Sequence, residues 1–346
     1  MNIFYRQRFV LAGLCCAIFL SACAQSAYHR LYPIKSEMVW PPKPAQARIR
    51  YLGSFQRPEE MGIEKGFLSR LGDLFAGAEE RHMVRPMAVV SMSEQEIYVA
   101  DPGARGVHYF NRKRNEYRLI QQADNQPLPS PVGLARGPNH SVLVADSELG
   151  GIFIIQPGGD TASPLVLDVR LAQPTGIARD QATGRMYVTD TAGHSFSIFD
   201  QHGKRLKQIG KRGNGKAEFN FPTLMWLDKE RLYVTDSLNF RIQMFDHDGV
   251  FKGFFGQIGT TTGTLSRPKG VATDNFGHIY TVDSLFHALQ IFNDQGQLLL
   301  NIGRQGGLPG EFWLPTGLYI SENNTIYIAD SHNRRVQVFQ YIGGKS

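Results

Sequence analysis

Leu232-Tyr-Val-Thr-Asp236-Ser-Leu-Asn-Phe-Arg241-Ile-Gln-Met-Phe245 is an apolar run, a polar turn and a second apolar run. Short β-branched and aromatic runs bounded by turn residues read as antiparallel strands. The first half returns five times, as Ile97-Tyr-Val-Ala-Asp101, Val142-Leu-Val-Ala-Asp146, Met186-Tyr-Val-Thr-Asp190, Ile279-Tyr-Thr-Val-Asp283 and Ile326-Tyr-Ile-Ala-Asp330. Successive aspartates stand 45, 44, 46, 47 and 47 residues apart. Nine residues after each comes a large apolar residue: Phe110, Ile155, Phe199, Phe245, Phe292 and Phe339. A proline lies 14 to 16 residues before each: Pro86, Pro131, Pro174, Pro222, Pro268 and Pro315. Three landmarks kept in register through six copies define a repeat, and the repeat sets the architecture.

Each copy holds four β-rich runs. In the fifth they are Gly270-Val-Ala-Thr, Ile279-Tyr-Thr-Val, Leu289-Gln-Ile-Phe and Gln297-Leu-Leu-Leu-Asn-Ile. A four-stranded antiparallel unit recurring at 44–47 residues is a propeller blade. The expected fold is therefore all-β, a six-bladed β-propeller. The last copy ends seven residues after Phe339 and lacks a fourth strand. Fourth strands elsewhere finish in Ile-Gly or Phe-Gly (Ile209-Gly210, Phe255-Gly256), and Tyr51-Leu-Gly53 has a similar ending. Residues 48–56 are thus expected to complete the last blade, closing the ring and removing an open edge.

The repeats resemble those of NHL-repeat six-bladed propellers. The likeness is carried by Asp236-Ser-Leu-Asn-Phe-Arg241-Ile-Gln-Met-Phe245 and Asp330-Ser-His-Asn-Arg-Arg335-Val-Gln-Val-Phe339. The fifth copy keeps Asp283-Ser284 but has Phe286 and Ala288 where Asn and Arg are expected, and the first three keep only the Asp and the apolar frame. The resemblance implies the fold and leaves function open, because such propellers include RNA binders, protein-interaction platforms and a lyase. No Gly-His and Trp-Asp pair recurs at blade spacing, which sets aside the WD40 pattern.

Upstream of the blades, Arg6 and Arg8 precede the apolar run Phe9–Leu20, twelve residues where a spanning helix needs ~20. Leu20-Ser-Ala-Cys23 resembles the bacterial lipobox, which implies export and acylation of Cys23. Ala24 and Gln25 carry no inner-membrane retention signal of the Asp type, so the resemblance implies the outer membrane, facing the periplasm. The expected organisation is a signal peptide (1–22), a lipidated Pro-rich tether (23–47), the closing strand (48–56), a helical or loop insertion (57–85) and six blades (86–346). Ile63, Phe67, Leu71, Leu74 and Phe75 suggest an amphipathic helix across 61–77.

The 346 residues are 42% hydrophobic and 20% charged, which excludes a disordered chain. Lys and Arg exceed Asp and Glu by 37 to 31, too thin an excess to indicate nucleic acid. The three cysteines, at 15, 16 and 23, exclude a disulfide scaffold and a paired Cys-x-x-Cys zinc module.

Six carboxylates at one repeat position suggest architecture, since a strand-ending Asp accepts the amides of its turn. Asp101, Asp146, Asp190, Asp236, Asp283 and Asp330 are so assigned, with Arg241 and Arg335 placed to pair with theirs. His194, His287 and His332 lie on different blades and do not form an expected zinc site. No catalytic residue, cofactor or metal is expected. The expected activity is binding, by a monomeric, lipid-anchored propeller recognising a protein or an anionic glycan. The alternative is a metal-dependent lactonase- or lyase-like enzyme working in the central channel. The candidate partner-binding residues are Lys211, Arg212, Phe240, Phe286, Arg304 and Arg334, on the loops after each Asp and the connections between blades.

Overall fold

The computed structural model describes residues 38–64 and 82–343. Six antiparallel sheets follow one another around a central channel, and the strand beginning at each repeat proline, or at Ala88 in the first blade, lies innermost. The fourth blade is typical: Pro222–Leu227, Leu232–Asp236, Arg241–Phe245 and Phe251–Phe255 pair in sequence order. The second blade adds a small hairpin, Gln122–Ala123 with Gln126–Pro127, whose first strand pairs parallel to the outer strand Ala162–Leu165.

The landmarks acquire physical roles. Phe110, Ile155, Phe199, Phe245, Phe292 and Phe339 each end up at most 1% exposed, wedged between neighbouring sheets. Phe196, Phe219 and Phe245, for instance, meet at centroid distances of 5.0 to 6.0 Å. In four blades a glycine two places after the proline (Gly133, Gly176, Gly270 and Gly317) allows the inner strands to converge. A Cβ on Gly176 would come within 2.5 Å of the Thr223 carbonyl, and one on Gly317 equally close to that of Met87.

Closure occurs within the last blade. Its sheet runs Val39–Trp40, Ile49–Phe55, Arg335–Tyr341, Thr325–Asp330, Pro315–Ile320, so the fourth strand comes from the N-terminal side. Ile49 pairs with Tyr341 and Phe55 with Val336, shifting register between Tyr51 and Gly53. The expected tether is shorter than its proline content suggests. Val39 and Trp40 form a fifth strand on Arg50 and Ile49, and the Trp40 ring packs edge-on at 5.8 Å from Phe339. Pro41, Pro42 and Pro44 follow these residues, so they end the strand without preventing it. In the insertion, Pro58–Met61 forms a 3-10 turn, and Met61, Ile63 and Met83 are buried against the first blade. Cys23 and the rest of the expected helix, from residue 65 to 77, lie outside the described residues. No helix among the described residues is long and apolar enough to cross a membrane.

Each repeat aspartate acts as a latch. Asp236 accepts the amide of Asn220 from the incoming connection at 2.7 Å and Nδ2 of Asn239 from its own turn at 2.8 Å. Arg241 Nε and Gln243 Nε2 complete the set at 2.8 and 3.0 Å. Asp330 repeats the pattern with Trp313, Asn333, Arg335 and Gln337. The remaining guanidinium nitrogens of Arg241 donate to the carbonyls of Asn214, Gly215 and Glu218, tying down the same connection. Asp146, Asp190 and Asp283 are held by backbone amides alone, from the connection and from the turn. Burial pushes the Asp146 carboxyl up, and its three amide bonds do not reverse this. Burial also opposes ionisation of Asp101, but there the His108 imidazole at 3.3 Å and the Val84 and Arg85 amides prevail, holding that carboxyl below its ordinary value.

Two outcomes follow from the latches and the closure. Asp330→Ala leaves the Arg335 guanidinium buried without its carboxylate and should cost ~3–5 kcal/mol in denaturant unfolding. Asp146→Ala orphans only amides and should cost ~1–3 kcal/mol. Equal losses would show that the ion pair adds nothing. A chain starting at residue 38 should melt as the full chain does, and one starting at 48 should lose ~1–2 kcal/mol with the half-buried Trp40. One starting at 57, lacking the closing strand, should fail to give a cooperative transition, and a normal melt for it would refute the closure.

Candidate functional site

The channel has two dissimilar ends. At one end emerge the latched turns and the connections between blades. At the other emerge the loops that follow each inner strand and the hairpins joining third to fourth strands. The channel widens toward this second end into a funnel of about 1530 Å³. Leu134, Ile177, Met225, Val271 and Leu318, from the middle of five inner strands, form its apolar throat.

Above the throat stand residues from the ends of the inner strands. Trp226 and Tyr319 meet edge to face, 5.6 Å apart at 73°. The Trp226 indole donates to Thr273 Oγ1 at 3.0 Å, and Thr273 in turn donates to Asp228 Oδ2 at 3.2 Å. The Tyr319 hydroxyl donates to the Ser91 carbonyl at 3.1 Å, and burial pushes its phenol up to about 12. Arg136 donates to the same carbonyl at 3.0 Å and to Glu322 at 2.7 Å, with its guanidinium 6.0 Å from the Tyr319 ring centre. Arg179, a neighbour on the wall, donates to Gln181 at 2.7 Å. Each polar group is oriented by its own partner, so the aromatic pair sits in a preset frame.

The funnel carboxylates are already engaged. Asp228 accepts the amides of Glu230 and Arg231 at 2.8 and 2.7 Å. Asp274 accepts two amides, the His278 imidazole at 2.7 Å and the Tyr280 hydroxyl at 2.9 Å. These are turn caps, a second recurring aspartate role beside the latches. Among the described residues no three His, Cys, Asp or Glu side chains converge. Around the wall Arg48, Arg136, Arg179, Lys229 and Arg231 face Asp228, Glu230, Asp274, Asp294 and Glu322, five charges against five. Their formal charges balance.

At the narrow end the residues after the repeat prolines form a ring of Met87, Val132, Thr175, Thr223, Lys269 and Thr316. Burial, with the nearby Arg267, pushes the Lys269 ammonium down from its ordinary value.

The candidate partner-binding residues all lie at the end away from the funnel. Lys211 and Arg304 are exposed and occupy equivalent positions, pairing with Glu218 and Glu311 at 3.3 and 2.8 Å. Arg212 and Arg334 are exposed, whereas Phe240 and Phe286 are half-buried. Arg105, His194, Phe240, His287 and Arg334 share the position four after the aspartate, and all adopt left-handed φ of 49° to 57°. That conformation is costly for a residue with a Cβ and closes the latched turn. His194 and His287 have a structural task, since their Nδ1 atoms accept the Phe221 and Leu314 amides of the next connection at 3.2 and 3.1 Å. Sequence reasoning passed over Arg136, Arg179, Trp226 and Tyr319. The available signal was that Arg or an aromatic ring closes inner strands that are otherwise small and apolar.

A family model described as a six-bladed β-propeller matches residues 177–254, and an NHL-repeat model matches residues 312–339. The human E3 ubiquitin-protein ligase NHLRC1 is 32% identical over 105 residues, 30% of this chain, and the match spans only a quarter (25%) of that relative's length. An auxiliary nutrient binding protein from Bacteroides thetaiotaomicron superposes with a TM-score of 0.59 at 12% identity, over 75% of this chain and 70% of that one. Virginiamycin B lyase from Staphylococcus aureus gives 0.54 at 16% identity, over 75% and 96%. At such identities the structural likenesses concern the fold alone. Six sheets in a closed ring, a propeller match across the third and fourth, and an NHL match in the sixth make this chain a six-bladed β-propeller whose last blade carries an NHL repeat.

Proposed function

We propose that the chain is a non-catalytic binding propeller of the bacterial envelope, held by lipid on Cys23 at the outer membrane, with its ligand seated in the funnel. The observation that carries this reading is the Trp226–Tyr319 pair, set above an apolar throat and framed by balanced donors and acceptors. Concave sites of this kind, mostly apolar with a few placed polar groups, are those that hold small ligands. A glycan suits the chemistry: its C–H faces lie against aromatic rings and its hydroxyls both donate and accept. The even charge of the wall favours a neutral or zwitterionic sugar over the anionic one expected from sequence. The likenesses to a nutrient-binding propeller and to a lyase concern the fold, so the enzymatic alternative is left to be tested.

Calorimetric titration of purified protein with envelope and dietary oligosaccharides should find saturable binding. Trp226→Ala should weaken it about tenfold, the scale of one aromatic contact. Arg185→Ala, whose side chain pairs with Asp248 outside the funnel wall, should leave it unchanged. If no sugar binds, and calcium instead elicits lactone opening or lyase activity, the enzymatic alternative replaces this reading.

A further inference from the structure

The end away from the funnel is not uniform. In the sector of the fourth to sixth blades, large apolar side chains stand out where turns are ordinarily polar. Ile258 is 67% exposed, Leu308 64%, Leu285 50%, Trp313 46% and Phe221 39%. The same turns and connections carry Lys211, Arg212, Lys216, Arg267, Arg304 and Arg334, all exposed. Against these six cations stand Glu218 and Glu311, each already paired with one of them, while the latch aspartates of this sector are fully buried. A surface with a net positive charge and scattered apolar tips has the composition of one that lies against anionic lipid. Apolar groups enter the headgroup boundary there, and Lys and Arg meet the negative surface.

A second observation gives the direction of approach. The chain becomes part of the fold at Met38, whose carbonyl accepts the Tyr51 amide at 2.9 Å. Met38 and Trp40 lie against Gly310, in the connection that also carries Leu308 and Trp313. From there the strand runs toward the funnel, where Pro41 and Arg48 line the wall. The chain thus enters the described fold at Met38, beside this sector. Cys23 is 15 residues upstream, which is at most ~50 Å of extended chain. We propose that the fourth-to-sixth-blade sector of the latched end is a docking surface for an anionic lipid bilayer, seating the propeller with its funnel directed away from the membrane. The contact does not require the acyl chains, which would only concentrate the protein at the surface.

The chain from residue 24 contains every described strand and lacks Cys23, so it isolates the surface from the anchor. It should sediment with vesicles of phosphatidylglycerol mixed into phosphatidylcholine, at least about tenfold better than with phosphatidylcholine alone, as expected when several basic groups approach an anionic surface. Raising the salt to about 1 M, where the Debye length falls to ~3 Å, should release most of it. Two variants divide the contributions: Arg212→Glu with Lys216→Glu and Arg334→Glu, and Leu308→Ser with Trp313→Ser. Each should cut vesicle binding about tenfold or more while leaving the thermal transition and the glycan titration unchanged. Indifference of the chain to lipid charge overturns the proposal, as does full binding by both folded variants. If vesicles do not bind and both variants instead lose capture of a protein partner, the surface is a protein interface and the proposal is wrong.

Discussion

A buried carboxylate at the end of each second strand ties together two pieces of backbone that sequence keeps well apart. One is the turn that follows it; the other is the connection that entered the blade some sixteen residues earlier. The connections pair with themselves only through isolated bridges such as Arg212 with Phe219, and buried amides without partners are costly. The aspartate satisfies both sets at once and so decides where the chain may pass from blade to blade. The strands beyond the latch can then be ordinary, short and β-branched.

Blades differ in how they satisfy that carboxylate. In the fourth and sixth, an Arg and a Gln surround it and extend its reach to several carbonyls of the connection. In the fifth, where Ala288 replaces the Arg, Gln290 alone joins the connection, through Thr264 and Gly263. In the first, His108 stands where the Gln would be, and Tyr117 takes its other nitrogen at 2.9 Å. These substitutions keep the geometry and change the electrostatics, which is why the Asp101 and Asp146 carboxyls move in opposite directions from the ordinary value. With its backbone groups fixed at the latched end, the molecule can vary the side chains on both surfaces without risk to the fold.

The repeat made the architecture legible because its landmarks are the parts of a blade that physics constrains most. The proline opens the inner strand, the aspartate latches and the large apolar residue fills the seam. The closing strand was legible too, since an outer strand was missing and a spare one lay upstream, although Gly53 corresponds to Gly253 inside its strand and not to the Gly256 that follows one. Less could be seen where a residue's role depends on neighbours from distant repeats. Trp226 and Tyr319 are 93 positions apart, and their meeting depends on how far the ring turns between blades. Val39 and Trp40 were concealed by the prolines behind them, because proline content measures a segment and pairing is settled residue by residue. The left-handed turn position was also hidden, since Arg, His and Phe occupy it as readily as the glycine at Gly150.

The last sheet carries a consequence for when the molecule can exist at all. Ile49 and Tyr341 are 292 positions apart and are direct partners. Contacts so remote must meet the entropy of loop closure before they contribute any stability, and folding slows accordingly. Five sheets can assemble as the chain emerges, each from local hairpins. The sixth has to wait for the final strand to be made. Until then the strand Ile49–Phe55 has only the short Val39–Trp40 strand beside it, and the nascent ring is a curved array with two unsatisfied margins. Any machinery that handles this chain during synthesis must protect that early strand longest.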